Sequence, residues 1–269
     1  MQTVSKNKGF FQRVKRMFHV DLRRLFTGKF FYIMVGISFA VPILILVMTT
    51  MMDGTVSVNP QTGVETVIEG FDNVWQIFGS ITNTDPAAAM DMSLTSMCNI
   101  HMMYFAVAVL VCIFVSDDFR SGYAKNLFTV RAKKTDYVVS KTLVGFIGAA
   151  AMFIAFFIGA LIGGGVSQLP FEMVGFTAIN FVFCMISKIF LSAIFVAVCV
   201  LASVIGKQKA WLSMLLSLGI GMLFFTMIPM ISPLDSTAIN ALLSVVGGTL
   251  FGIGLGAISN QVLQKTSLV

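Results

Sequence analysis

The sequence predicts an all-α integral membrane protein: six transmembrane helices preceded by an amphipathic interfacial helix, with a small extracellular β-hairpin between helices 1 and 2. Three observations predict it. The 269 residues are 57% hydrophobic and only 11% charged, against about 25% charged in an ordinary soluble domain. The apolar residues gather into six runs, each long enough to cross a hydrocarbon core about 30 Å thick. The basic residues fall on alternate connections between those runs, as the positive-inside rule requires.

Residues 1–29 precede the first run and hold Lys6, Lys8, Arg13, Lys15, Arg16, Arg23, Arg24 and Lys29. Phe11, Val14, Phe18, Leu22 and Leu25 recur at helical spacing, with most of the cations on other faces. That is the pattern of a helix lying in the membrane interface, apolar side down and cations toward anionic headgroups. A plain basic juxtamembrane segment is the other reading. No small-residue cleavage pattern follows the first apolar run, so a removed signal peptide is not expected.

The runs are Phe30 to Met52, Met97 to Ser116, Val138 to Ile162, Val174 to Val204, Trp211 to Ile231 and Ala241 to Val262. In hydrocarbon each must be helical, because every backbone N–H and C=O needs a partner inside the segment. They make residues 30–262 a single membrane domain. Its first outer loop, 53–96, carries Val56, Val58, Val64, Thr66 and Ile68 around the turn-forming Asn59-Pro60-Gln61-Thr62-Gly63, a hairpin signal. Residues 70–81 read as a short interfacial helix with Trp75 and Phe78 at headgroup level. Gly163-Gly164-Gly165 reads as a turn.

All 18 Lys and Arg except Lys188 fall on one set of connections: residues 1–29, then Arg120 to Lys141, then Lys207 and Lys209, then Lys265 in the tail 263–269. The opposite connections carry Asp53, Glu65, Glu69, Asp72, Asp85, Asp91, Glu172 and Asp235 and no cation. Both termini are therefore expected in the cytoplasm and the chain in the plasma membrane as a multi-pass protein. The net charge of +6 belongs to this orientation signal rather than to nucleic-acid binding.

Little here points to an enzyme. The four cysteines are Cys98, Cys112, Cys184 and Cys199, the last three inside apolar runs, so neither a disulfide framework nor a metal site is expected. The histidines are His19 and His101, and no HExxH, GxSxG or GxxxxGK[ST] occurs. No catalytic residue is expected, and no cofactor bound by this chain.

Lys188 is the sole ionisable side chain well inside a run, where insertion scales put its cost at about 2.5–3.5 kcal/mol. It reads either as a pathway residue meeting an anionic substrate group or a lipid phosphate, or as a lysine snorkelling outward. Gly248, Gly252 and Gly256 recur every four residues on one helix face and predict close helix packing. The segment SDDFRSGYAKNLFTVRAKKTDYVVSK, residues 116–141, mixes acids, aromatics and cations. Gly122 permits a tight turn there, and Tyr123 to Val130 predicts a short helix along the membrane surface. A rigid helix so placed suits a soluble partner; an ordinary positive-inside loop is the other reading.

This segment resembles the cytoplasmic loop of permeases of the type 2 ABC exporter superfamily at Asp117, Asp118, Phe119, Gly122, Lys125, Asn126, Arg131, Ser140 and Lys141. The resemblance is greatest to the short Gram-positive permeases of peptide-antibiotic immunity and export. It implies that loop 117–137 docks on a separate ABC ATPase, present in two copies and binding Mg-ATP, with Asp117 to Asn126, Arg120 included, as the coupling element. It further implies that Phe11 to Phe26 is the elbow helix and that a second permease subunit, identical or not, completes the pathway. The cargo implied is an antimicrobial peptide, lipid or drug. The long loop 53–96 departs from that pattern. Two other classes remain open: an ion-coupled secondary transporter or channel, which should show several intramembrane acids or an inverted repeat, and a non-transporting sensor or scaffold for an extracellular peptide.

Overall fold

The computed structural model describes residues 2–58, 65–81, 98–129 and 133–265. Among the described residues eight α-helices carry the fold: α1 (Gln2–Thr27), α2 (Lys29–Met52), α3 (Met103–Arg120), α4 (Tyr123–Thr129), α5 (Lys134–Val166), α6 (Ala178–Gly206), α7 (Ala210–Ile231) and α8 (Ala238–Lys265). Two short 3-10 turns, Val74–Phe78 and Ile100–Met102, lie between α2 and α3. Among the described residues five helices are long and apolar enough to cross a membrane: Lys29–Met52, Ile100–Arg120, Lys134–Val166, Ala178–Gly206 and Ala238–Lys265. A sixth crossing is not among them. Helix α7, 22 residues long, occupies the fifth run, and its apolar stretch among the described residues is Ala210–Leu223.

The bundle brings α1, the end of α3, α4 and the start of α5 to one end, here the basic end. α2 packs along α5, α6 along α8, and α3 lies against α5, α6 and α7. Glycines set the closest approaches. A Cβ at Gly159 of α5 would strike the Phe39 carbonyl oxygen of α2 and lie 2.8 Å from Pro42 Cγ. The three glycines 163–165 are not a turn: α5 runs through them to Val166. The bare Gly163 and Gly164 let the Ile43 backbone and the Val74 side chain close in. Helix geometry wins because the close neighbours supply the packing that glycine's own side chain cannot.

Val74–Phe78 is a 3-10 turn buried inside the protein rather than a helix laid on its surface. Val74, Ile77 and Phe78 are fully buried and Trp75 nearly so. Trp75 stacks edge-on against Phe181 with centroids 4.9 Å apart, and Phe78 against Phe181 at 5.2 Å. Asn73 starts the turn by accepting the Trp75 and Gln76 amides, and Trp75 Nε1 donates to the Phe171 carbonyl. Phe78 also meets Phe156 and Phe157 of α5, so the rings bury their apolar area between α5 and α6. Val56–Val58 pairs antiparallel with Glu65–Val67, Val56 opposite Val67; the expected hairpin turn, residues 59–64, lies outside the described residues, as does most of loop 53–96 from residue 82.

The glycine stripe of α8 separates into unlike positions. A Cβ at Gly248 would sit 2.5 Å from the Phe190 carbonyl oxygen of α6, one at Gly256 3.9 Å from Val138 Cγ1, and one at Gly252 would meet nothing within 4 Å. Only Gly248 is a tight helix-packing position. Gly248→Ala should therefore lower the unfolding temperature in detergent, at about 1–3 kcal/mol of overpacking. Gly252→Ala should leave it level or raise it, since alanine favours helix by about 1 kcal/mol over glycine. Equal effects would refute the assignment.

Candidate functional site

Four charged side chains from three helices meet at the basic end. Lys141 of α5 has no exposed surface and places Nζ 2.8 Å from Asp21 Oδ1 and 2.7 Å from Asp118 Oδ2. Arg24 Nη1 lies 2.8 Å from Asp118 Oδ1 and 3.8 Å from Asp21 Oδ1. Ser140 Oγ donates to Asp21 Oδ2 at 2.6 Å and Tyr137 OH to Asp118 Oδ2 at 2.9 Å. Phe114 lies under the Lys141 ammonium at 4.1 Å and Tyr123 under the Arg24 guanidinium at 4.0 Å, where ring quadrupoles favour a cation.

The sequence builds this locally in simple ways. Among the residues of α1 whose side chains are described, Val14, Asp21 and Leu25 are the buried ones, spaced seven and four residues apart and so on one helical face. Asp118 ends α3, and Lys141 sits in the second turn of α5 on the face of Tyr137. Two carboxylates against two cations leave the cluster neutral. Such a cluster is tolerated in a dry interior only when each charge has a partner. Burial works against the charge on Arg24, but Asp118 and then Tyr123 and Asp21 outweigh it and raise its pKa further. Burial, with Asp21 next, pushes the Tyr123 phenol up. A second pair, Arg13 Nε to Asp136 Oδ2 at 2.8 Å, ties α1 to the start of α5. Lys134 Nζ donates to the Leu263 carbonyl at 2.8 Å and ties in the end of α8, satisfying one of the carbonyls a helix end leaves open.

The predicted coupling residues divide. Asp118 is buried in the charge cluster, and Phe119 is 7% exposed and packs edge-on against Tyr137, so neither is presented to a partner. Asp117, Arg120, Lys125 and Asn126 are exposed. Asp117 to Arg120 belong to the last turn of α3 rather than to a loop. Gly122 turns the chain with φ +76°, a conformation glycine adopts without strain. Tyr123–Thr129 then forms a helix that buries Ala124 and exposes Lys125, Asn126 and Thr129. Arg131 lies outside the described residues.

Helix α1 is amphipathic, but part of its apolar face is turned toward protein. Val14 and Leu25 are buried against protein, Phe18 and Leu22 are half-buried, and Phe11 is 72% exposed. The apolar arc is wide enough to serve two neighbours, α5 on one flank and the surroundings on the other. Sequence reasoning missed Asp21 and Tyr137. The available signal was that Asp21 is the lone acid in a basic helix and falls on its apolar side.

Lys188 does not snorkel. It is fully buried, and its Nζ has three acceptors: the Ser232 carbonyl at 2.9 Å, Ser232 Oγ at 3.0 Å and His101 Nε2 at 3.2 Å. An ammonium has three N–H groups, and all are used. Accepting at Nε2 places the His101 proton on Nδ1, which faces Asn99 Oδ1 at 2.6 Å. Tyr104 OH donates to the Lys188 carbonyl at 3.0 Å. The lysine thus pins the start of α3, the middle of α6 and the end of α7 at the pole opposite the charge cluster. Its partners are polar neutral groups from distant segments, which is why the search for an intramembrane acid failed to find them.

Among the described residues no group of three or more His, Cys, Asp or Glu is placed to hold a metal ion. What the arrangement can do is mechanical: it makes the surface helix α4, the tip of α3 and helix α1 one connected piece with α5. A bundle with five helices of crossing length and apolar composition fits the class of multi-pass helical membrane proteins. Comparison of the chain with known protein families, with curated proteins and with solved structures finds no match.

Proposed function

We propose that this chain is the membrane-spanning permease subunit of an ATP-driven exporter for a hydrophobic or amphiphilic cargo, with ATP hydrolysed by a separate ABC ATPase. The observation that carries the reading is the charge cluster beneath α4. A partner pushing on the exposed side of a seven-residue helix transmits force only if that helix is fixed to the crossings: Tyr123 and Phe128 pack it against Arg24 of α1 and Tyr137 of α5, and Asp118–Lys141–Asp21 ties α3, α5 and α1 together. The expected resemblance of residues 117–141 to coupling loops adds to this. In this reading α7 is the fifth of six crossings, residues 56–67 close a hairpin on the outer side, and the basic end with both termini faces the cytoplasm of a Gram-positive cell. Exposed apolar side chains on α2, α7 and α8, among them Tyr32, Leu44, Trp211, Leu223, Leu242 and Phe251, are available to lipid and to a second permease subunit.

A photo-cross-linking residue placed at position 129, exposed at the end of the same helix, should capture, in native membranes, a partner that hydrolyses ATP. The pair Lys125→Glu and Asn126→Ala should abolish that capture and cargo export while the unfolding temperature stays within about 2 °C, because exposed substitutions cost at most about 0.5 kcal/mol. Export by the double variant at the wild-type rate would overturn the assignment.

A further inference from the structure

At the basic end, between the end of α1, the start of α2 and the last turns of α3, lies a partly open cavity of about 140 Å3. Engineered cavities of about 150 Å3 take up a benzene-sized ligand. Leu25, Phe31, Leu110 and Phe114 supply apolar wall, and Arg24 and Asp117 supply opposite charges. The wall is graded. Leu110, Phe114 and Asp117 climb α3 in order over about 10 Å, from the apolar interior to the charged helix end.

Arg24 is a third exposed even though its Nη1 faces Asp118. Asp117 is exposed and enters no ion pair among the described residues, and the two do not pair with each other. One cation and one anion at the mouth of an apolar recess complement a molecule with an anionic group, a cationic group and a hydrocarbon part. The space is too small for whole acyl chains, so these must continue outside it. With the helices crossing a bilayer, the charged end of α3 stands at headgroup depth. A purely anionic lipid would meet the Asp117 carboxylate.

We infer that this cavity binds the headgroup and first chain carbons of one zwitterionic phospholipid, phosphate on Arg24 and ammonium on Asp117. The inference rests on the membrane-spanning reading but not on an ATPase.

The full chain is released from nanodiscs holding equal amounts of phosphatidylethanolamine and phosphatidylglycerol with matched acyl chains, and the retained lipid is counted by native mass spectrometry. One phosphatidylethanolamine should be retained with about fivefold preference, the size of a partly exposed ion pair. Asp117→Asn should remove the preference. Gln12→Lys, an equal change in net charge on the exposed side of α1, should keep it. Equal retention of both lipids by the wild type, or an unchanged preference in Asp117→Asn, overturns the site. Should the chain stay in solution without detergent after high-speed sedimentation, the membrane reading fails, and the lipid site with it.

Discussion

Lys141→Met should destabilise the protein more than any other single side-chain truncation at the basic end, by about 3–5 kcal/mol. The methionine fills the same volume, so the loss is electrostatic. Asp21 and Asp118, both fully buried, would be left sharing Arg24 alone. One uncompensated carboxylate in a dry interior costs several kcal/mol or takes up a proton instead. Asp118→Asn alone should also destabilise, because it strips both cations of a partner. The double variant keeps one cation and one anion, Arg24 and Asp21, and should recover more than half of the summed losses. The measurement is a double-mutant cycle on unfolding temperature in detergent. Additive losses would mean that the four charges do not act as a unit, and the mechanical reading of the handle would fall with them.

Gly159→Val should have the second-largest effect. Its new Cβ would enter the space of the Phe39 carbonyl oxygen and crowd Pro42 Cγ at 2.8 Å. Backbone on one side and a rigid ring on the other leave nothing flexible to move aside. α2 and α5 must then separate along a seam that includes the buried Phe31, Met34 and Leu46. The cost should reach or exceed the upper end of the ~1–3 kcal/mol of ordinary overpacking, read as lost monodisperse protein after extraction. Gly165→Val, where an added Cβ meets nothing within 4 Å, should express normally. If both variants behave alike, the α2–α5 approach is not a fixed feature of the fold.

The runs of apolar residues, the short helix at Tyr123–Thr129 and the turn at Gly122 were legible because they depend on neighbours a few residues away. Helical periodicity, turn chemistry and hydrocarbon transfer are written along the chain. The boundaries were less so: α5 begins at Lys134 and runs to Val166, beyond the expected Val138 to Ile162, because its polar first turn is held by Arg13 and its last glycines by Val74 and Ile43. The candidate site was half legible. Its exposed members were named, while Asp118 and Phe119 were assigned outward and proved to face in.

Composition and periodicity thus specified an apolar helical chain, its order of helices and the gathering of cations at one set of connections. Which charges meet was left to the tertiary structure. Asp21 and Lys141 are 120 residues apart, and Lys188 finds Ser232 and His101 across 44 and 87 residues. Hydrophobic burial is nondirectional and roughly additive over surface, so it can be summed from a sequence. An ion pair or an ammonium with three acceptors requires atoms within about 3 Å of one another, and only the packed helices bring them there.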